Sequence, residues 1–228
     1  MSGAVARART GWNDFLNYFP HSELAPAALF HLAGIRFNDG LYTMARQDFQ
    51  KVLGMATEPE IHSAALYNLA MCHRILGDRD EALAALEKYD RLAVVPDEHA
   101  VAVARALGEI HQEMGHLREA ARRYRQAVEL GAGSEEAVEL NYLAGICLKK
   151  AGDFPGALDA YALSIASENK TNNFRLSALA QTADLHEQRG DFDGALAAYR
   201  DLIKNATDPA LVGAAKERVA QLEAALGQ

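Results

Sequence analysis

The sequence predicts an all-α repeat protein, because three residue types recur together at one spacing. A glycine returns in steps of 37 or 38 residues, at Gly40, Gly77, Gly115, Gly152 and Gly190. Five residues after each glycine stands an alanine: Ala45, Ala82, Ala120, Ala157 or Ala195. Nine residues after it stands a large residue: Phe49, Leu86, Tyr124, Tyr161 or Tyr199. Such a period is typical of arrays whose helical units bury their apolar faces against their neighbours, and no segment alternates with the period of two that a strand needs.

Each repeat is expected to hold two antiparallel helices that meet at the glycine. Glycine adopts the positive φ of a tight helix ending without steric cost, so it fits the turn after the first helix. An alanine followed four residues later by a large side chain lies on one face of the second helix, where it allows close approach of a neighbouring helix. We therefore expect Ala120, Ala157 and Ala195 to be nearly fully buried.

The same offsets, counted from each glycine, divide the chain into successive elements. Counting from Gly3 places Ala8 and Trp12 at the alanine and large positions, so residues 1–19 are interpreted as the second helix of an incomplete repeat. Pro59, Pro96 and Pro209 each follow a turn glycine by nineteen residues and mark the ends of repeats. Residues 209–228 have apolar residues at helical spacing and are expected to form a capping helix. The full repeats are expected at 24–58, 60–95, 98–133, 135–170 and 173–208, all within one elongated domain, 1–228.

A small residue also stands seven before each turn glycine, at Ala33, Ala70, Gly108, Gly145 and Ala183. Together with the turn glycine, the alanine, the large residue and the proline, it forms a constellation that resembles the tetratricopeptide repeat (TPR). The resemblance implies a TPR-type α-solenoid, a right-handed superhelix of antiparallel helix pairs. It would contain five full repeats, an N-terminal lone helix and a C-terminal capping helix. One departure is the residue four before the glycine, an aromatic in most TPRs, which here is Arg36, His73, His111, Leu148 or His186.

The segment FLNYFPHSELAPAALFHLA, from Phe15 to Ala33, resembles the junction in bacterial cell-envelope TPR proteins such as the periplasmic TPR protein of the Tol–Pal system. The resemblance implies a role in envelope assembly. The compartment is left open: the cytoplasm is expected if the chain is complete, and the periplasm or cell envelope if it is a fragment of a longer exported protein.

Composition narrows the class of partner. The net charge is −8, and no basic block or aromatic-interleaved stripe of lysine and arginine is present, so nucleic acid is not expected as a ligand. No apolar run approaches the length of a membrane span.

No pattern of residues indicates a catalytic, cofactor-binding or metal-binding site. The phosphate-binding, nucleophile-elbow and zinc-protease motifs are absent, so we expect no enzymatic activity, no cofactor and no metal. His73, His111 and His186 share one repeat position, but different repeats would hold them too far apart to ligate one ion.

Cys72 and Cys147 lie two repeats apart and are interpreted as buried apolar residues. The acidic residues after the turn glycines, such as Asp78 and Asp191, are expected to cap the second helices.

A groove is then the expected functional site. The resemblance implies that the first helices line a concave face that binds a peptide or a protein. The predicted partner-binding residues on this face are Phe30, Phe37, Tyr67, Met71, Arg74, Tyr142, Ile146, Lys149 and Lys150. An apolar, aromatic patch with neighbouring cations suits a peptide with hydrophobic anchors and an acidic group.

Two interpretations of this surface remain open. In the first, the chain is a protein-interaction scaffold. In the second, it is a self-assembling structural module whose apolar groove is filled by its own oligomer or by a missing N-terminal segment.

Overall fold

The computed structural model describes residues 3–55, 58–92 and 97–227. In this part of the chain there are twelve helices and no strands, so the prediction of an all-α fold is confirmed. The helices are α1 (Gly3–Tyr18), α2 (Ala25–Asn38), α3 (Tyr42–Leu53), α4 (Pro59–Leu76), α5 (Arg79–Asp90), α6 (Asp97–Glu113), α7 (Leu117–Glu129), α8 (Ser134–Lys150), α9 (Phe154–Ile165), α10 (Asn173–Gln188), α11 (Phe192–Asn205) and α12 (Pro209–Leu226).

The chain divides into two compact units, 1–110 and 111–228. In the first unit, each of α2, α3 and α4 packs against the helices before and after it, and α2 also packs on α4. In the second unit, α7 to α12 pack in chain order, and α8 also packs on α10. Contact between the first helices of successive repeats is the stacking that the sequence period predicts. The single elongated domain stays a prediction.

The turns confirm the role of the repeated glycine. All five turn glycines have positive φ, between 73° and 88°. At Gly77 the left-handed conformation ends α4, and the N–H of Gly77 bonds back to the carbonyl of Arg74 at 3.2 Å. A side chain at this φ would be strained, so the glycine is needed at the turn itself.

The predicted core positions are buried. Ala120, Ala157 and Ala195 are each 0% exposed, as expected. In the fourth repeat, the close approach is visible at Gly145 in α8, where an added Cβ would overlap the ring of Tyr161 in α9. The small residue of the first helix therefore makes room for the large residue of the second.

Helix capping follows the prediction in two repeats and differs in a third. The carboxylates of Asp153 and Asp191 each accept a hydrogen bond of 3.0 Å, from the backbone N–H groups of Gly156 and Gly194. Asp78 stands at the same position but makes no such cap. Its carboxylate instead accepts a 2.8 Å hydrogen bond from Arg46 of α3 and contacts His73.

Two of the histidines four residues before the glycine contact a carboxylate on the other side of the turn. The Nδ1 of His73 lies 3.2 Å from the Asp78 carboxylate, and the Nδ1 of His186 lies 2.7 Å from that of Asp191. Each histidine thus joins the end of a first helix to the start of its second helix, where a TPR usually places an aromatic side chain.

Both cysteines are free thiols with no exposed surface. Burial raises the pKa of each thiol to about 11. This agrees with their interpretation as apolar core residues.

Candidate protein-binding surface

The predicted binding residues fall into two clusters, one in each unit. The first cluster consists of Phe30 and Phe37 on α2 and Tyr67, Met71 and Arg74 on α4. The second cluster consists of Tyr142, Ile146, Lys149 and Lys150 on α8. In each cluster the helical spacing of three, four or seven residues places the side chains on one face of their helix.

The aromatic side chains of the first cluster rest on the core. Phe30 packs edge-on against Phe49, with ring centroids 5.7 Å apart, and Phe37 packs edge-on against Tyr42 at 5.2 Å. All four apolar members of the cluster are partly buried. Part of each of these side chains therefore stays accessible to a partner, and the rings are held in place before binding.

Tyr67 lies between two further rings. Its centroid is 6.4 Å from that of Tyr89 and 5.8 Å from that of His99. Burial is the main reason that the pKa of its hydroxyl is raised; the charge of Arg74 opposes this shift and that of Glu109 adds to it. The hydroxyl is therefore neutral at physiological pH.

The cation of the first cluster already has a carboxylate partner. The guanidinium of Arg74 forms an ion pair with Glu109 of α6, and the other carboxylate oxygen of Glu109 accepts a 3.0 Å hydrogen bond from Arg105. Arg74 is the third residue before its turn glycine, and Glu109 is the sixth residue before the next one.

The second cluster repeats this arrangement. Lys149 forms an ion pair with Asp184 of α10, and its Nζ donates a 2.9 Å hydrogen bond to Gln181. Partial burial opposes ionisation of Asp184, but the hydrogen bond and charge of Lys149 outweigh it, so the pKa of Asp184 is lowered. Lys149 and Asp184 hold the same repeat positions as Arg74 and Glu109.

The remaining members of the second cluster differ in exposure. Tyr142 lies against Phe174 and Tyr161, with ring centroids 5.8 Å and 6.2 Å apart. Ile146 is partly buried, whereas Lys150 at the end of α8 is exposed. Lys150 is therefore the more accessible of the two predicted cations.

An exposed apolar surface that the sequence analysis did not identify lies at the turn between α1 and α2. Tyr18, Phe19 and Leu24 are 78%, 59% and 65% exposed. The run of aromatics beside Pro20 was visible in the sequence. Its exposure was not, because exposure depends on which helices cover the turn.

Within the part of the chain that the structure describes, neither a metal-ligand cluster nor a membrane-spanning helix is found. Across the described residues, no three metal-ligating side chains are grouped, and no helix has both the length and the apolar character needed to cross a bilayer.

Comparison with protein families places most of the chain in one class. A family model for a tetratricopeptide repeat-like domain matches residues 2–144, and a second, for a tetratricopeptide repeat, matches residues 177–208. Among curated proteins, the photosystem I assembly protein Ycf3 of Synechococcus elongatus is 31% identical over 109 residues, which cover 46% of this chain. The match spans 62% of the length of that relative.

Solved structures show the same fold at low sequence identity. YrrB, a TPR protein with an unusual peptide-binding site, matches with a TM-score of 0.65 and 18% identity, covering 89% of this chain and 97% of YrrB. MamA matches with a TM-score of 0.60 and 18% identity, covering 76% of this chain and 94% of MamA. BtubC from P. vanneervenii matches with a TM-score of 0.56 and 15% identity, covering 98% of this chain and 90% of BtubC.

Proposed function

The chain belongs to the tetratricopeptide repeat-like family, and from that membership we propose that it is a non-enzymatic scaffold that binds a peptide or protein partner. The binding site we propose is the first cluster, and the second cluster is proposed as a separate contact. The observation that carries the proposal is the row of preorganised aromatic side chains, Phe30, Phe37 and Tyr67, on neighbouring first helices. Aromatic anchors held by a rigid core lose little entropy on binding.

The ion pairs modify the chemistry expected of the partner. Because Arg74 and Lys149 are each bonded to a carboxylate, an acidic group on a partner has to compete with Glu109 or Asp184. Hydrophobic side chains of the partner are therefore expected to supply most of the affinity. Lys150, which is exposed, is the cation best placed to meet an acidic group.

A selection experiment with random peptides tests the site. Peptides selected from a displayed library on the wild-type protein are titrated against Tyr67→Ala and Phe37→Ala. We expect each substitution to weaken binding by about tenfold or more, as for a central aromatic contact. Lys149→Glu is expected to weaken it less.

Arg91→Ala is the matched control, since this side chain is 69% exposed at the end of the second helix α5. It should leave the affinity unchanged. If Tyr67→Ala binds normally while Arg91→Ala or another second-helix substitution abolishes binding, the first cluster is not the site. Circular dichroism melts of each variant separate loss of binding from loss of fold.

A self-assembling module is the second candidate, and α1 favours it. None of the sixteen residues of α1 is buried. Ala8 is exposed and Trp12 is only partly buried, whereas Ala45 and Phe49, at the same repeat positions, are each 0% exposed. Trp12 stacks on His31 of α2, with ring centroids 5.3 Å apart, and a second copy of the chain would cover the part of α1 that α2 leaves exposed.

Light scattering across a concentration series decides between the two candidates. Self-assembly predicts a mass above the 24.7 kDa of one chain, and Trp12→Glu should return it to that of a monomer. A monomer at every concentration contradicts the self-assembly candidate and leaves the scaffold intact.

We place this scaffold in bacterial envelope assembly. The support is the resemblance of Phe15–Ala33 to the junction of envelope TPR proteins. The curated relative Ycf3 is named for the assembly of photosystem I, which agrees with an assembly role in general terms. Co-purification with envelope components after cross-linking in the native host tests this setting; exclusive recovery with cytosolic proteins contradicts it.

A further inference from the structure

Helix α7 carries an unusual stripe of arginines. Arg118, Arg122 and Arg125 follow one another at helical spacing, so their side chains share one face of the helix. They line a single concavity of about 480 Å³, whose floor includes Ala121 and Leu148. The stripe lies on a second helix and contains none of the predicted binding residues. We name it the arginine stripe.

The arginine stripe is confined to the third repeat. At the corresponding three positions, the second helices of the first, second and fourth repeats carry no basic residue, and that of the fifth repeat carries only Arg200. At the position of Arg118, the second and fifth repeats have Asp80 and Asp193 instead. The repeat fold therefore does not require arginine here.

The stripe works against the stability of its own helix. Arg118 lies in the first turn of α7, where the helix dipole favours a negative charge and disfavours a positive one. Arg118 and Arg122 are like charges four residues apart, an arrangement that destabilises a helix. A bound anion would relieve both effects.

The carboxylates near the concavity are outnumbered by its guanidinium groups. Glu119 lies next to the stripe, but it is shared between Arg122 and Arg123. Arg125 donates a 3.2 Å hydrogen bond to the carbonyl of Gly156, a neutral group that does not compensate its charge. Glu129 is the carboxylate that lines the concavity beside the three guanidinium groups.

We propose that the arginine stripe is a second binding site, which takes an acidic segment of a partner protein. The three guanidinium groups extend over about 10 Å of helix axis, which suits several carboxylates along one segment better than a single small anion. Guanidinium groups bind carboxylates through paired, charge-assisted hydrogen bonds. With a net charge of −8, the protein repels an acidic segment at long range, so affinity has to come from a local cluster of positive charge such as this one.

The test uses a fluorescent octaglutamate peptide as the probe and anisotropy as the readout, at low and at physiological salt. We expect the triple variant Arg118→Gln, Arg122→Gln and Arg125→Gln to weaken binding by about tenfold or more, and salt to weaken binding to the wild type. The matched control, Arg79→Gln and Lys88→Gln on α5 with Arg91→Gln directly after it, removes the same charge and should change the affinity by less than about twofold.

A substitution that should tighten binding distinguishes an effect of charge from misfolding of a variant. Glu119→Gln releases Arg122 and Arg123 from their carboxylate, so it should tighten binding of the probe. The proposal is overturned if both triple variants lose affinity equally, if the wild type does not bind the peptide, or if an oligouridylate of equal charge binds tighter. Tyr67→Ala should leave octaglutamate binding intact, which separates this site from the first cluster.

Discussion

The hydroxyl of Tyr124 donates a 3.0 Å hydrogen bond to the side-chain oxygen of Gln112, twelve residues earlier in the same repeat. Tyr199 makes the equivalent bond to Glu187, at 2.7 Å. In the fourth repeat the equivalent pair is Tyr161 and Lys149, but an ammonium group has no acceptor to offer. The buried hydroxyl of Tyr161 accordingly has no hydrogen-bond partner among the described residues.

Three tyrosine-to-phenylalanine substitutions should therefore give different results. Tyr124→Phe and Tyr199→Phe each remove a hydrogen bond and should lower the free energy of unfolding by about 0.5–1.5 kcal/mol. Tyr161→Phe removes an unsatisfied hydroxyl and should leave the stability unchanged or raise it. Urea denaturation followed by circular dichroism measures all three, and a loss for Tyr161→Phe as large as for Tyr124→Phe would contradict the assignment.

Two glycine-to-alanine substitutions within helices should act in opposite directions. Gly145→Ala places a methyl group in the ring of Tyr161 and should cost about 1–3 kcal/mol through overpacking. At Gly34 in α2 no atom lies within 4 Å of an added Cβ, so Gly34→Ala should stabilise the protein by about 0.5–1 kcal/mol. Thermal melts of the two variants provide the measurement, and each is the control for the other.

Overpacking at the alanine position should disturb more than one repeat. Ala157 is 0% exposed, so Ala157→Leu should cost about 1–3 kcal/mol. Because repeats are stabilised by their neighbours, the unfolding transition should broaden as well as shift. Differential scanning calorimetry tests both effects, and an unchanged melting temperature would refute the packing role of Ala157.

The capping carboxylate of Asp191 predicts a pH dependence. The hydrogen bond from the Gly194 N–H, with the nearby charge of His186, holds the pKa of Asp191 below its usual value. A depressed pKa in the folded state means that the group stabilises the fold at neutral pH, and that this contribution is lost as the pH falls through the folded-state pKa. Asp191→Asn should lower the melting temperature at pH 7, and the difference should vanish at strongly acidic pH.

Asp193→Asn is the control for that experiment, since it removes an equal charge from the first turn of α11. A gap between wild type and Asp191→Asn that stays constant across the acidic range would show that the charge of Asp191 is not involved.

The sequence was sufficient for the features that repeat. The phased glycines located the turns, and the alanines located the helix crossings, because backbone conformation and close packing restrict these positions to very few residue types. The capping role of Asp191 was predicted for the same reason.

Side-chain pairs that join two different repeats could not be predicted in this way. The pairing of Arg74 with Glu109 depends on the offset between two first helices, which no local pattern records. Arg175 is a further case: it is 3% exposed, and it donates to the carbonyls of Ile165 and Lys170 and to the carboxylate of Asp201. An arginine buried by a network of this kind looks, in the sequence, like any exposed arginine.

The residues at two repeat positions of the first helices, three and six before the turn glycine, change character along the first unit. Between α2 and α4, the corresponding positions hold Phe37 and Met71, whereas between α4 and α6 they hold Arg74 and Glu109. A strongly excluded salt such as sodium sulfate strengthens apolar burial and screens partly exposed charges. Raising its concentration would tighten the α2–α4 junction while loosening the α4–α6 junction. The salt concentration would thus decide which of α2 and α6 frays first. Amide hydrogen exchange measured in the two helices would show the order.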